Sequence, residues 1–540
     1  MLDKKFGLAL AFAAQAVGCI ADGDGGAEAP QTDEGAFSSA QAKLADFSFD
    51  GEVVASTNAN PRSQIRAQLL YTVGHLNAEP GVSQLPKLAL SNVATTSIGG
   101  GLFKITYRAT LPVAWGDRDR VPRSYRFTLP RRVGAAAERD FVEAYRSRCA
   151  DDPASSNASN YWYHYRPNQS GCSISSGDVV QVTATVTPNT SNTRGKYPEY
   201  ARVWEDGVLR ILAVFGKEQE NATADGDPGI AAYNAFVSRM RETLRGAVTT
   251  PASFDGTPGV AVPEVTFELA RSGGTRVQAT AMLVDKIATE GPAFDRRYAE
   301  LSTGADLILY NGHAGLGGNV RALADKGKFF PGKYQIFFFN GCDTFAYVDE
   351  TLAQRRAELN RDDPKGTRYM DVISNAMPAY FDDMADASNA IVRALLATGS
   401  PRTYESIFSD IAREQIVVVT GEEDNTYAPG APVLPSWTFS REGAVRKAET
   451  VSYETEVLPA GTYAFSLLPD PAIPGGDADL RVRVGAPPAL TSQYKCPSFV
   501  ANSNERCTLT LSSPAKVHVA VTGDSSTMAS PFELRAFRLP

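Results

Sequence analysis

The spacing of apolar positions changes twice along this chain. Between residues 46 and 200 it alternates. Segments 102–115 (LFKITYRATLPVAW) and 179–187 (VVQVTATVT) place apolar and polar residues in turn, the two-residue period of a half-buried strand. An amphipathic stretch over 135–148 predicts one helix leading into Cys149, and the polar, tyrosine-rich segment from there to Cys172 predicts a loop. From about Val208 the pattern turns to short, nearly continuous apolar runs: 209–215 (LRILAVF), 265–269, 279–284, 306–310 (DLILY), 334–339 (YQIFFF) and 415–420. Strands buried on both faces have this pattern, and they belong to parallel sheets covered by helices. Helical spacing lies between them over 229–245, where Ile230, Tyr233, Phe236 and Met240 share a face, and over 370–380 and 385–397. Past Ser436 the helices stop. Short runs at 450–457, 461–467, 478–484, 507–511, 516–522 and 532–537, separated by Gly- and Pro-rich turns, predict a small sandwich. The expectation is a multidomain chain. A β-rich (α+β) region over 46–200, accessory or pro-domain, precedes a doubly wound, mostly parallel α/β sheet over 205–432 and a C-terminal β-sandwich over 437–540.

Composition narrows the function. A length of 540 residues suits about three or four domains, and 43% apolar with 21% charged residues excludes global disorder. With 53 basic against 61 acidic side chains the net charge is −8, which argues against a nucleic-acid reader. No apolar run reaches the ~20 residues that span a bilayer. HExxH, CxxC, Gly-Lys-Ser/Thr and Gly-x-Ser-x-Gly are all missing from the sequence, which removes zinc peptidases, P-loop enzymes and serine-elbow hydrolases.

The first 18 residues carry Lys4 and Lys5, a brief apolar stretch over 6–14, and then Ala16-Val17-Gly18-Cys19. A short cationic segment before a short apolar one is a secretory signal. The last four residues resemble a bacterial lipobox, with Ala16 where leucine is usual. That resemblance implies a signal peptide over 1–18, lipidation of Cys19 and export to the bacterial cell envelope, with the membrane touched only through that anchor. An ordinary signal cut near Ala21, with free secretion, is the alternative. Residues 19–45 hold few large apolar side chains and predict a flexible tether.

Two apolar strands end in residues that suit one reaction. The first runs to Tyr310-Asn-Gly312-His313-Ala314-Gly315 and the second to Phe339-Asn-Gly341-Cys342-Asp343-Thr344. Active sites of open α/β sheets lie beyond the carboxyl ends of their strands. Cys342 stands 29 positions after His313, room for one crossover helix between adjacent parallel strands. A thiol is intrinsically nucleophilic, and a nearby imidazole favours its thiolate or protonates a leaving amine. The flanking glycines leave room for a substrate backbone and expose amide N–H groups to an oxyanion. A buried core cysteine beside an incidental loop histidine is the plainer alternative.

This arrangement resembles the clan CD cysteine peptidases, the caspase-like group, and within it the secreted gingipain type. In these enzymes one hydrophobic strand ends in His-Gly and the next in a small residue and Cys. The resemblance covers roughly residues 208–430. It implies a caspase-like sheet, Cys342 as nucleophile, His313 as catalytic histidine, and the backbone N–H groups of Ala314 and Cys342 as oxyanion donors. It departs from the pattern in having His-Ala-Gly rather than His-Gly. By the same analogy a protein or peptide is the substrate and no cofactor is required. Acids at Asp225, Asp227, Glu422, Glu423 and Asp424 would line a pocket for a basic P1 side chain, a solvated acidic loop being the plainer reading. Rival functions are a non-catalytic surface-binding protein on an inactive peptidase fold, or transpeptidation on the same dyad. Oligomeric state is not legible.

The end of the chain has a second resemblance. Gly475 to Val484, Tyr494-Lys-Cys496-Pro and Asn504-Glu-Arg-Cys507 are similar to the bacterial pre-peptidase C-terminal domain, a β-sandwich that accompanies secreted peptidases. Asp477 and Asp479 would there suit Ca²⁺, or stand solvated in a turn. Six cysteines in an exported chain ordinarily pair. The motifs divide them otherwise: Cys19 to lipid, Cys149 with Cys172, Cys496 with Cys507, and Cys342 left for chemistry.

Overall fold

The structure is a computed structural model that describes residues 37–254, 256–422, 425, 427–428, 430–469, 476–488, 503–524 and 529–539. Its chain forms two compact units. One comprises residues 41–192 with the short turn 345–347; the other comprises 37–40, 193–344 and 348 onward.

The first unit is built on an antiparallel sheet. Leu102–Trp115 pairs along its length with Lys43–Ala55, which also pairs with Val179–Pro188, and Ser124–Pro130 completes that side. Its alternating residues put Phe47, Phe49, Leu111, Val113 and Phe127 in the core. Helix Ala135–Cys149 agrees with the sequence pattern, and the Cys149–Cys172 disulfide forms as expected. Residues 37–45 differ from expectation. They are not tether: Phe37, Ala42, Leu44 and Ala45 are buried, and Lys43 opens a 13-residue strand.

The second unit contains a nine-stranded sheet. In chain order its strands are Ser38–Ser39 (β1), Val208–Gly216 (β2), Val248–Thr250 (β3), Glu264–Ala270 (β4), Arg276–Val284 (β5), Leu307–Asn311 (β6), Gln335–Asn340 (β7), Met370–Asn375 (β8) and Val417–Gly421 (β9). Their spatial order is β1-β9-β8-β7-β6-β2-β5-β4-β3. The five central strands are parallel, and β9 turns antiparallel against β8. Five of the unit's helices are Pro228–Thr243 (α1), Pro292–Gly304 (α2), Gly318–Lys326 (α3), Thr351–Leu359 (α4) and Phe381–Leu396 (α5). On one face α1 and α5 bury Leu209, Ile211, Ala213, Leu309 and Phe338; on the other Leu212, Val214, Ile308 and Phe337 are equally buried. A sheet covered on both faces explains the continuous apolar runs.

One expected helix is a strand. Residues 370–375 form β8, with every residue buried. Polar Asp371 and Ser374 break its apolar run and imitate helical spacing. Asp371 is tolerated because Tyr334 and Tyr404 hydroxyls donate to it at 2.5 and 2.6 Å and Lys196 pairs with it at 2.5 Å.

The C-terminal sandwich belongs to the same unit. Thr438–Val445, Ser530–Arg538, Gly461–Pro469 and Glu505–Leu511 make one sheet; Thr450–Glu454, Val517–Gly523 and Ala478–Val484 make the other. Phe465, Leu467, Leu480, Val519 and Leu534 fill the space between them. Buried ion pairs join the sandwich to the amino ends of the parallel strands. Arg506 meets Glu205 at 2.7 Å, Arg535 donates to the Asp206 carbonyl at 3.0 Å, and Lys333 meets Asp306 at 2.5 Å beneath them.

Candidate active site

The site begins with register. Asn311 of β6 lies directly beside Asn340 of β7, and each is followed by a glycine and then by the residue of interest. Adjacent strands stand about 4.8 Å apart, so the His313 and Cys342 loops leave the sheet side by side. They stay together: Gly312 donates its N–H to the Asn340 carbonyl at 3.1 Å. A Cβ on Gly341 would fall 2.5 Å from the Gly312 oxygen and 3.3 Å from the Ala314 nitrogen, so glycine is required where the loops meet. Both loops emerge at carboxyl strand ends, beside the point where the strand order reverses between β2 and β6. Open α/β sheets place ligands in such a crevice.

His313 is half-buried, and its Nε2 lies 3.1 Å from the Glu218 carbonyl just past β2. A carbonyl only accepts, so Nε2 carries the hydrogen and a neutral ring keeps its lone pair on Nδ1. Among the described residues Nδ1 has no hydrogen-bond partner. The Phe381 ring stands edge-on to the imidazole, with centroids 5.2 Å apart. Burial holds the imidazole below its usual pKa of about 6.5. The His313 carbonyl is held in turn by the Tyr310 hydroxyl at 2.6 Å and by Asn319 Nδ2 at 2.8 Å.

Cys342 is a thiol, partly exposed, whose Sγ lies 3.5 Å from the Ala379 carbonyl. Thr344 donates to the Phe339 carbonyl at 2.6 Å and accepts from Asn375 N–H at 2.9 Å, which pins the turn behind the thiol. Each loop contains a non-glycine residue in the left-handed region: Asp343 at φ 52° beside the cysteine, and Leu316 at φ 51° after Gly315. Such residues cost roughly 1–2 kcal/mol each and concentrate at functional sites.

The described acids offered for a basic P1 pocket do not converge on one place. Asp227 caps α1, accepting from Gly229 and Ile230 N–H at 2.9 and 3.0 Å, and it also accepts from Glu218 and Gln219 N–H at 3.0 and 2.9 Å. Its carboxylate is consumed by backbone donors and steadies the loop that presents the Glu218 carbonyl to His313. Asp225 is exposed and accepts from Thr257 at 3.3 Å. Glu422 lies at the opposite end of the sheet, because β9 is antiparallel and its last residue, Gly421, pairs with Asp371 at the start of β8. Glu423 and Asp424 lie outside the described residues.

Cys19 and Cys496 are also outside them; Cys507 is disulfide-bonded. Asp479 pairs with Arg481 at 3.2 Å, and neighbouring carboxylates Asp477 and Asp524 raise its pKa after burial does. Among the described residues no group of His, Cys, Asp or Glu is arranged to hold a metal, and no helix is long and apolar enough to cross a membrane.

Sequence reasoning missed the Glu218 carbonyl, Tyr310, Asn319 and Phe381. Backbone groups leave no residue-type signal. The repeated Asn-Gly before His313 and Cys342 was the available clue.

No family profile and no curated protein matches the chain. Solved structures resemble it only faintly. A GH115-family 4-O-methyl-α-glucuronidase with specificity for decorated arabinogalactans is 9% identical with a TM-score of 0.16, covering 35% of this chain, which spans about a third (32%) of that protein. A two-domain esterase active on acetylated mannans is 10% identical with a TM-score of 0.18, covering 64% of this chain and 96% of its own. A Bacillus licheniformis lipase in propeptide form is 8% identical with a TM-score of 0.15, covering 64% of this chain and 76% of its own. At these values the likenesses relate neither fold nor chemistry.

Proposed function

We propose that this chain is an exported cysteine endopeptidase with a caspase-like sheet, using Cys342 and His313. One observation carries the reading: the two residues occupy equivalent positions beyond neighbouring, in-register parallel strands, in loops whose glycines touch. The Cys342 sulfur attacks the scissile carbonyl carbon and forms a thioester as the C–N bond breaks. The proton given up by the thiol reaches the departing amine through the imidazole. Water then cleaves the thioester, returning the acid product and the thiol. The N–H groups of Ala314 and Cys342 stabilise the oxyanion that precedes each collapse.

The catalysis invokes no metal; Ca²⁺ at Asp477 and Asp479, lipidation of Cys19 and an envelope location belong to the same proposal. A basic P1 preference does not, since Asp227 is committed to a helix cap and Glu422 lies at the amino ends of the parallel strands.

The test is a thiol-directed acyl probe and a peptide library applied to the wild type, Cys342→Ala and His313→Ala. Labelling and cleavage that vanish in the first variant and collapse in the second support the peptidase. Labelling that persists in Cys342→Ala ends it. Labelling without cleavage, but with amide exchange when an amine is added, turns the reading to transpeptidation.

A further inference from the structure

Three successive parallel strands end in asparagine: Asn311 on β6, Asn340 on β7 and Asn375 on β8. Their side chains are fully buried and form a row across the sheet. Asn375 Nδ2 donates to Asn340 Oδ1 at 3.0 Å, and Asn340 Nδ2 donates to Asn311 Oδ1 at 2.8 Å. Ser388 of α5 donates to the same Asn311 oxygen at 2.8 Å, and Gln415 Oε1 receives Asn375 Nδ2 at 3.4 Å. Elsewhere these strands bury mostly valine, isoleucine, leucine and phenylalanine, with Gln335 and Asp371 at their amino ends and Ser374 before Asn375. Amides placed in such a layer gain no apolar burial and are costly unless hydrogen-bonded. Their recurrence at the one level where the reactive loops begin is therefore informative.

Asn340 is the junction of the row. Its side chain grips both neighbouring strand ends, its carbonyl takes the Gly312 N–H, and the next residue is the glycine packed on Gly312. One residue thus ties the start of the imidazole loop to the start of the thiol loop by main chain and side chain together. Apolar side chains there would cover the same area but permit sliding. Hydrogen bonds with fixed donors and acceptors do not.

We propose that Asn340 is a positioning residue, held by Asn311, Asn375 and Ser388, that sets the separation of the His313 and Cys342 loops. The proposal rests on the cysteine–histidine reading above. It acts through His313: a displaced imidazole no longer supports the thiolate, and misplacement by about 1 Å lowers rates about 100-fold.

The experiment follows alkylation of Cys342 by iodoacetamide against pH in the folded full chain, with kcat and KM on a cleaved library peptide where one is found. It compares the wild type, Asn340→Ala, His313→Ala and the double variant, each checked for folding by near-UV circular dichroism and thermal unfolding. The wild-type midpoint is expected below the ordinary thiol value of about 8.5. Asn340→Ala should raise it by about one pH unit and lower kcat about tenfold or more, with KM within about threefold. In the His313→Ala background Asn340→Ala should change nothing further, because the two act as one device. A merely structural amide would lower stability and add its effect in both backgrounds; that additivity, or an unshifted midpoint in folded Asn340→Ala, overturns the proposal. Should Asn340→Ala not fold, Ser388→Ala removes a single donor and is expected to shift the midpoint the same way by a smaller amount, an unshifted midpoint overturning the proposal. If the wild-type midpoint is ordinary and insensitive to His313→Ala, the cysteine–histidine reading itself fails, and the positioning role with it.

Discussion

Two histidines, the fully buried His75 in the core of the first unit and the half-buried His313 at the carboxyl edge of the parallel sheet, differ in what their ring nitrogens do. His75 has both answered. Nε2 accepts the Thr128 N–H at 3.1 Å, so Nδ1 carries the hydrogen and donates to the Tyr125 hydroxyl at 3.0 Å. Tyr125, Phe127 and Tyr165 enclose the ring at centroid distances of 5.5, 5.3 and 6.4 Å. Burial lowers its pKa to about 4. His313 holds the opposite tautomer, with Nε2 donating to a main-chain carbonyl and Nδ1 carrying the lone pair. The backbone around His75 is regular helix and strand, whereas His313 and Cys342 sit in loops with left-handed non-glycine residues. Depressed basicity is common to both and so identifies neither as functional. A lone pair kept apart from structural bonds, on a loop that adjoins the loop of the thiol and carries left-handed backbone, is the distinguishing mark.

The comparison breaks first on kinetics. Cys342→Ala and His313→Ala should each lower peptide turnover by roughly 10³-fold while moving the thermal midpoint by no more than about 2 °C; similar losses from His75→Ala in folded protein would erase the distinction. Next comes stability. His75→Ala leaves the Thr128 N–H unanswered in an aromatic core and should destabilise the first unit by about 3 kcal/mol in chemical denaturation, with the Cys342 alkylation rate of folded protein unchanged. The pH dependence is of similar size and signed. An unfolded His75 takes up a proton near 6.5 and the folded one near 4, so folding stability is complete above pH 6.5 and falls as pH drops between these values, by roughly 3 kcal/mol. His75→Gln should flatten that slope in acid denaturation curves. The smallest effect concerns backbone strain: Leu316→Asn, a residue that tolerates φ 51°, should raise stability by about 0.5–1 kcal/mol.

The sequence showed best what depends on side-chain type. Residues 102–115 form a strand with those bounds, and the runs ending before His313 and Cys342 are adjacent strands, because burial on both faces selects apolar residues. It failed where polar residues are buried with private partners. Asp371 disguises β8, and Asp227, a candidate pocket acid with a solvated loop as the plainer alternative, caps a helix. Glu422 was misplaced for another reason: only the direction of β9 decides which end of the sheet it occupies, and direction leaves no trace in a single strand's pattern. The Glu218 carbonyl could not be foreseen at all.

The ion pairs beneath the sandwich govern how this molecule is made. Glu205 pairs with Arg506, and the Asp206 carbonyl accepts from Arg535, contacts spanning 301 and 329 positions. Closing such long loops is entropically expensive and slow. A chain emerging from its amino end has built every parallel strand before either arginine exists, so until then Glu205 has Lys333, at 3.8 Å, for a cationic neighbour. A protein truncated before residue 506 should therefore carry a complete central sheet whose Asp206 and Asp306 keep Arg210 and Lys333 while Glu205 lacks its arginine at 2.7 Å, and completion of the second unit waits for the strands of the sandwich.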